Sequence, residues 1–149
     1  MTSPVGRVVA VCVGPGGVPK RPVESARVGE LGLEGDRHRM AFHGGPDRAV
    51  CLLTVEDVRS LEADGVRVEG PGAFGENLLI EGLEPGSLRP GDRLVIEEVE
   101  LELHDVRAPC RTLTPLDPRF PALMLGRSGF MARVLRGGEL RPGQPVQRG

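Results

Sequence analysis

Short apolar segments alternate with glycine- and proline-rich stretches along most of this chain. Residues 7–13, 49–53 and 94–96 are rich in Val, Leu and Ile, and each run is too short for a typical helix. The chain holds 22 Gly and 14 Pro, which interrupt regular secondary structure. Many short strands separated by such breakers predict a mostly β fold, either a closed or partly open β-barrel or a sandwich, with one or more short helices.

The clearest strand pattern lies in residues 99–104. Val99, Leu101 and Leu103 alternate with two glutamates and His104. This strict period of two predicts a strand with one buried face and one solvated face. His104 falls on the polar face, so we expect it to be solvated rather than catalytic.

One helix is predicted just after the strand at residues 49–53. Thr54 provides a hydroxyl N-cap, two acids follow in the first turn, and Leu61 belongs to the apolar face. Gly65 predicts the end of the helix, which makes it about ten residues long.

Four other segments have weaker patterns. Residues 22–28 are a plausible partner strand for residues 7–13, and residues 130–135 fit either a strand or a helix. Residues 31–47 lack periodicity and are predicted to form a long loop, and loops of that length are usually functional. A second breaker-rich loop at residues 70–75 leads into a strand at residues 77–80.

The composition predicts one domain over residues 1–149 in a reducing compartment. The ends lack the pattern of a charged start, an apolar run and a small-residue cleavage site, and no apolar run approaches the ~20 residues of a membrane span, so we expect a cytoplasmic protein without membrane contact. The three cysteines form no close pair, which argues against a disulfide framework or a cysteine-cluster zinc site. The net charge of −2 and the lack of Trp and Tyr argue against nucleic acid as a partner.

Lys20 is the sole lysine of the chain. It follows a Pro- and Gly-rich stretch rather than a recognisable pocket motif. Pyridoxal-phosphate chemistry, which needs a Schiff-base lysine, is therefore a poor match.

The third cysteine, Cys110, has an unusual neighbourhood. Arg107 precedes it by three residues, Arg111 follows it, and Pro109 makes the approach rigid. Neighbouring cations lower the pKa of a thiol and favour its reactive thiolate form. The alternative is a packed cysteine at a strand end, and this alternative is the better interpretation for Cys12 and Cys51, which lie inside apolar runs.

Two glycine-rich segments predict anion binding. His43, Gly44 and Gly45 precede Asp47 and Arg48, and the second segment contains Gly72, Gly75, Glu76 and Asn77. Glycines permit positive φ, so that successive N–H groups can point at one anion such as a phosphate. The alternative is a pair of ordinary tight turns.

At this point the residues resemble a known family, the MOSC domain, which is the molybdenum cofactor sulfurase C-terminal domain. The resemblance covers most of the chain and suggests a short stand-alone member. It rests on the order and spacing of five segments: Gly35-Asp36, His43-Gly44-Gly45-x-Asp47-Arg48-Ala49-Val50, Gly75-Glu76-Asn77-Leu78, Pro90-Gly91-Asp92 and Arg107-x-Pro109-Cys110. It implies a β-barrel that encloses a molybdopterin-type molybdenum cofactor, with Cys110 as metal ligand or persulfide carrier.

The resemblance also implies roles for the site residues. Cys110 would ligate the metal, while Arg107, Arg48 and the Gly44 and Gly45 amides would hold anionic oxygens. Asn77 and His43 would orient the pterin or the substrate, in a loop that includes Gly75 and Glu76. Asp36 and Asp47 would fix loop geometry or relay protons.

Three functions stay open on the sequence. The first is a molybdenum-cofactor-dependent oxidoreductase that acts on a small N-hydroxylated substrate and receives electrons from a separate electron-donor protein. The second is a sulfur carrier that takes a persulfide on Cys110 from a sulfur-donating desulfurase. The third is a cofactor-storage module.

Overall fold

The computed structural model describes residues 4–16, 19–37, 45–84, 86–108, 117–120 and 122–149. The helical elements among them are α1 (Val55–Ala63) and two 3-10 helices at Pro46–Arg48 and Ala122–Met124. The strands are β1 (Gly6–Val13), β2 (Arg21–Val23), β3 (Ala26–Gly29), β4 (Gly32–Leu33), β5 (Val50–Thr54), β6 (Leu78–Glu81), β7 (Arg93–Ile96), β8 (Val99–Val106), β9 (Phe130–Arg136), β10 (Gly138–Leu140) and β11 (Pro145–Arg148).

Seven of the described strands close into a barrel. Their order is β1, β6, β5, β9, β8, β7 and β11, and β11 pairs back onto β1. The β5–β6 pair is parallel, and the other pairs in the barrel are antiparallel. Closure leaves these strands without open sheet edges. The predicted mostly β barrel is confirmed, and the β11–β1 pairing decides against a sandwich.

The barrel wall separates two apolar clusters. The inner cluster takes residues from all seven barrel strands, and it includes Leu52, Leu101 and Val146. The outer cluster takes residues from β1, β5 and β6 together with Leu61 of α1. These three strands are therefore apolar on both faces, as their continuous apolar runs predict.

The helix α1 follows its local signals. Oγ1 of Thr54 accepts a hydrogen bond from the backbone N of Asp57 at 3.1 Å, which caps the first turn. Gly65, two residues past the end of α1, adopts a positive φ of +88°. Leu61 is buried in the outer cluster. The predicted helix is confirmed, with nine residues instead of about ten.

Two predicted segments differ in the structure. Residues 22–28 do not form one strand, because Arg21–Val23 pairs with β1 while Ala26–Gly29 pairs with β4 and β10 in a separate small sheet. The segment 31–47 is not wholly irregular, since it contains β4 and the first two residues of the 3-10 helix Pro46–Arg48. Residues 130–135, for which strand and helix were both open, belong to strand β9.

Within the described ranges, no helix is long and apolar enough to cross a membrane.

Candidate functional site

The predicted site residues fall into two groups. The structure describes Asp36, Gly45, Asp47, Arg48, Gly75, Glu76, Asn77 and Arg107, whereas His43, Gly44 and Cys110 lie outside the described residues. The described members come from separate loops and strand ends. Their surroundings show what each side chain contributes.

Asn77 immediately precedes β6 and is fully buried. Its Oδ1 accepts a hydrogen bond from the backbone N of Cys51 at 2.9 Å. Its Nδ2 donates to the backbone O of Cys12 at 3.1 Å and to Oδ2 of Asp36 at 3.0 Å. The amide therefore ties β1, β5 and the Asp36 segment together, and both of its donor hydrogens are engaged inside the protein.

Asp36 is the centre of a buried polar cluster. Its Oδ1 accepts from the backbone N of Gly14 at 3.0 Å and from Nζ of Lys20 at 2.6 Å. The side chains of Lys20 and Asp36 are 6% and 1% exposed. Lys20 is thus a buried partner of Asp36, although its Pro- and Gly-rich surroundings predicted a loop position away from any pocket. This cluster fixes the chain just before residue 38.

In the glycine-rich loop before β6, backbone N–H groups donate hydrogen bonds to a carboxylate of the same loop, Glu76. Glu76 is buried, and it accepts hydrogen bonds from the backbone N of Gly72 at 2.9 Å and of Phe74 at 3.2 Å. The N–H of Gly75 donates to the backbone O of Gly72 at 3.0 Å. These amides are engaged within the protein, which corrects the prediction that this loop presents its N–H groups to an external anion. Burial raises the pKa of Glu76, and the backbone hydrogen bonds partly oppose that rise.

Arg107 follows β8 and lies against this loop. Its backbone N donates to the O of Gly129 at 2.9 Å, and Ser128 Oγ donates to its backbone O. On the side chain, Nη2 donates to the backbone O of Phe74. Nη1 is buried and has no hydrogen-bond partner in the described part of the chain. A buried guanidinium nitrogen without a partner is suited to an anionic oxygen of a ligand.

The 3-10 helix Pro46–Arg48 contributes two charged side chains that point to different neighbours. Asp47 accepts hydrogen bonds from Nε and Nη2 of Arg133 at 2.9 and 2.6 Å, and these bonds lower its pKa. His104 Nε2 lies 3.7 Å from the same carboxylate. Asp47 therefore attaches the helix to β9 at the exposed surface. Gly45, with a φ of +92°, begins this helix.

Arg48 faces a carboxylate that the sequence pattern did not indicate. Its Nη2 lies 3.3 Å from Oδ2 of Asp105. A register shift between Leu103 and Asp105 makes His104 an extra residue opposite β9. Such a β-bulge turns Asp105 to the outer face of the barrel, whereas strict alternation after Leu103 would turn it inward. No sequence signal marks this bulge.

Cys12 and Cys51 have buried thiols. Burial raises the pKa of Cys12 to about 12 and also raises the pKa of Cys51. Both thiols are therefore protonated near neutral pH and are poor nucleophiles. Their predicted role as packed apolar residues is confirmed.

Comparison with known proteins identifies the family of the chain. The model of the MOSC domain matches residues 39–147. The chain belongs to the MOSC domain family. This MOSC domain is 33% identical to Uncharacterized protein YflK of Bacillus subtilis (strain 168), over 88% of the chain and 62% of YflK. It is 32% identical to Protein YiiM of Escherichia coli (strain K12), over 79% of the chain and 56% of YiiM.

Two further proteins are similar to the chain. The crystal structure of YiiM from Escherichia coli superposes on the MOSC domain with a TM-score of 0.77, and the match covers 98% of this chain and 70% of that structure. A protein of Gibberella moniliformis named "Reductase" is 29% identical over 77% of the chain, which is 22% of its own length. The chain thus spans less than two thirds of the length of YflK and of YiiM.

Proposed function

We propose that this MOSC domain binds a molybdopterin-type molybdenum cofactor and reduces N-hydroxylated compounds, with Cys110 as the metal ligand. The observation that carries the proposal is Arg107, whose buried Nη1 has no partner among the described residues. A guanidinium is the side chain best matched to phosphate and other oxo-anions. The family match and the relative named "Reductase" support the same chemistry.

The donor set of the chain fits such a cofactor. Thiolate sulfur, which Cys110 would supply, is a soft ligand suited to a molybdenum centre. Arg107, Arg48 and the backbone amides of Gly44 and Gly45 would hold the anionic oxygens. His43 would contact the pterin or the substrate. When bound, the cofactor supplies two-electron redox chemistry at the metal.

Other residues of the chain would hold these groups in place. Asn77 and Asp36 fix the described segment that ends at residue 37, because their hydrogen bonds join it to β1 and β5. Glu76 holds the loop whose Phe74 carbonyl accepts from Arg107. Asp47 attaches the helix that carries Arg48 to β9. A fixed outer layer of this kind limits the reorganisation that a bound ligand requires.

The reaction needs a separate reductant. Reduction of an N-hydroxyl group breaks the N–O bond, forms an N–H bond, takes up two electrons and two protons, and releases water. A separate electron-donor protein would supply the electrons. In the described ranges, no group of three His, Cys, Asp or Glu side chains is placed to hold a metal ion.

The test uses protein produced in a host that makes the molybdenum cofactor. Metal analysis and the fluorescence of oxidised pterin should show close to one cofactor per chain. Cys110→Ser should lose most of it, whereas Cys12→Ser, the same change at a buried cysteine, should retain it. Turnover of an amidoxime with a chemical reductant then tests the activity.

A different outcome favours the sulfur carrier. In this outcome the protein contains no cofactor and takes up labelled sulfur from a desulfurase at Cys110, and Cys110→Ser takes up none. The sulfur-carrier function would then replace the reductase proposal. If Cys110→Ser changes neither cofactor content nor sulfur uptake, both roles of Cys110 are wrong.

A further inference from the structure

Two side chains near the end of β8 carry buried polar atoms that have no partner among the described residues. Oδ1 of Asp105 and Nη1 of Arg107 make no hydrogen bond within the described ranges of the chain. One of these atoms is an acceptor and the other is a donor. Buried polar atoms in folded proteins nearly always have a partner, so two unpaired atoms this close in sequence call for an explanation.

The strand register places both side chains on one face. Asp105 is opposite Met131, Val106 is opposite Phe130, and the N–H of Arg107 donates to the O of Gly129 at 2.9 Å. Pairing is thus regular from Asp105 to Arg107, beyond the bulge at His104. Alternate residues of a strand share a face, with Cα atoms roughly 6.5–7 Å apart. The acceptor and the donor therefore belong to one surface on the outside of the barrel.

The other polar atoms of these side chains are already engaged. Nη2 of Arg107 donates to the backbone O of Phe74, and Oδ2 of Asp105 lies 3.3 Å from Nη2 of Arg48. Each side chain thus has one polar atom engaged inside the protein and one buried polar atom without a partner in the described ranges. The Asp105 side chain is 38% exposed, which means that this surface borders solvent.

We propose that Asp105 and Arg107 together bind one ligand group that presents an N–H donor beside an oxygen acceptor. An N–H would donate to Oδ1 of Asp105, and an oxygen, neutral or anionic, would accept from Nη1 of Arg107, so that both buried atoms gain a partner. The identity of the ligand rests on the proposed function. An amidoxime carries an amino group beside the oxygen of its N–OH group, and the pterin of the cofactor also carries N–H groups beside oxygen.

In the substrate case, Asp105 determines specificity. Its Oδ1 accepts from the N–H of the substrate while Arg107 donates to the oxygen. A site built to accept a hydrogen bond discriminates strongly against an analogue that lacks the donor, because the buried acceptor is then left unpaired.

The test compares benzamidoxime with N,N-dimethylbenzamidoxime, which lacks the N–H donor. Binding of each to the protein without cofactor is measured by NMR titration. Wild type should bind benzamidoxime about 10- to 100-fold more tightly. Asp105→Ala, which removes the acceptor, should abolish that preference. Glu100→Ala is the matched control, because Glu100 lies on the same strand and pairs with Arg93 at 3.7 Å, and it should keep the preference.

A second measurement separates the two ligand sources. If the pair binds the pterin instead, Asp105→Ala should lower the cofactor content of protein from a competent host by at least about tenfold, whereas Glu100→Ala should not. The inference is overturned if Asp105→Ala leaves both the preference and the cofactor content within about twofold of wild type. The comparison of the two ligands on wild type needs no variant, and equal affinities there would overturn the substrate case even if Asp105→Ala does not fold.

Failure of the proposed function gives a different result. Wild type could show the binding preference and yet, when loaded with cofactor, fail to turn over benzamidoxime. That result would contradict the proposed reductase activity, but it would still support ligand binding by Asp105 and Arg107.

Discussion

Nζ of Lys20 lies 2.6 Å from Oδ1 of Asp36, and both side chains are almost fully buried. The other oxygen of Asp36 accepts from Asn77, which in turn bonds to the backbone of Cys12 and Cys51. One ion pair thus links the chain before β2 to three strands of the barrel. This cluster holds Asp36 in place at the end of the described segment 19–37.

Lys20→Met should destabilise the protein by about 3–5 kcal/mol, because it leaves the Asp36 carboxylate buried without its cation. Lys20→Met combined with Asp36→Asn should cost less than the sum of the two single changes. The free energy of unfolding in urea, measured for all four proteins, gives the coupling.

The control for this prediction is an exposed ion pair. Arg7 and Glu81 lie 2.5 Å apart with side chains 61% and 32% exposed. Arg7→Met should cost at most about 1 kcal/mol. An equal loss of unfolding free energy in Lys20→Met and Arg7→Met would show that burial does not determine how much the Lys20–Asp36 pair contributes to stability.

Glu76 should make stability fall as pH rises. Burial raises its pKa above the ordinary 4.5, so the folded protein holds the proton more tightly than the unfolded chain. The resulting stabilisation is fully present below the unfolded-state pKa and is lost as pH rises through the folded-state pKa. Relative to Glu76→Gln, wild type should lose up to about 1.4 kcal/mol per pH unit in that window.

Urea unfolding of both proteins at several pH values measures this difference. Burial also raises the pKa of Asp57, but that group is present in both proteins and cancels. A difference between wild type and Glu76→Gln that does not change with pH would contradict the raised pKa.

Local patterns predicted most of the elements. The alternation in β8 and the cap of α1 at Thr54 each depend on residues within a few positions, so the sequence contains the whole signal. The paired glycine segments and the Arg107 motif also indicated a site, and this site stays a prediction. The loop at Gly72 was predicted to present its N–H groups to an anion. Instead, the N–H groups of Gly72 and Phe74 donate to Glu76, a carboxylate in the same loop.

Long-range contacts were not predictable in this way. Lys20 and Asp36 are 16 residues apart, and only the folded topology brings them together. The bulge at His104 has no local signature, yet it decides which face of β8 carries Asp105. The sequence therefore indicated the local secondary structure better than these long-range contacts.

Cys12 and Cys51 should resist alkylation in the folded protein. Burial raises the pKa of Cys12 to about 12 and raises that of Cys51, so little thiolate exists at neutral pH. Iodoacetamide should modify both only after denaturation, and peptide mass spectrometry identifies the modified residues. Under the proposed function, Cys110 should react first in protein without cofactor. Native labelling of all three cysteines at equal rates would contradict the protection of Cys12 and Cys51.

Gly72→Ala should be severely destabilising because the chain passes close to Lys20 there. Gly72 has a φ of +87°, and a Cβ at this position would lie 2.1 Å from the backbone O of Lys20. Strain and overlap together should cost more than about 3 kcal/mol. Gly91→Ala is the matched control, with a φ of +95° and no atom within 4 Å of the added Cβ, and it should cost about 1 kcal/mol. Urea unfolding compares them, and a similar loss in both would mean that φ alone, rather than the approach of Lys20, requires the glycine.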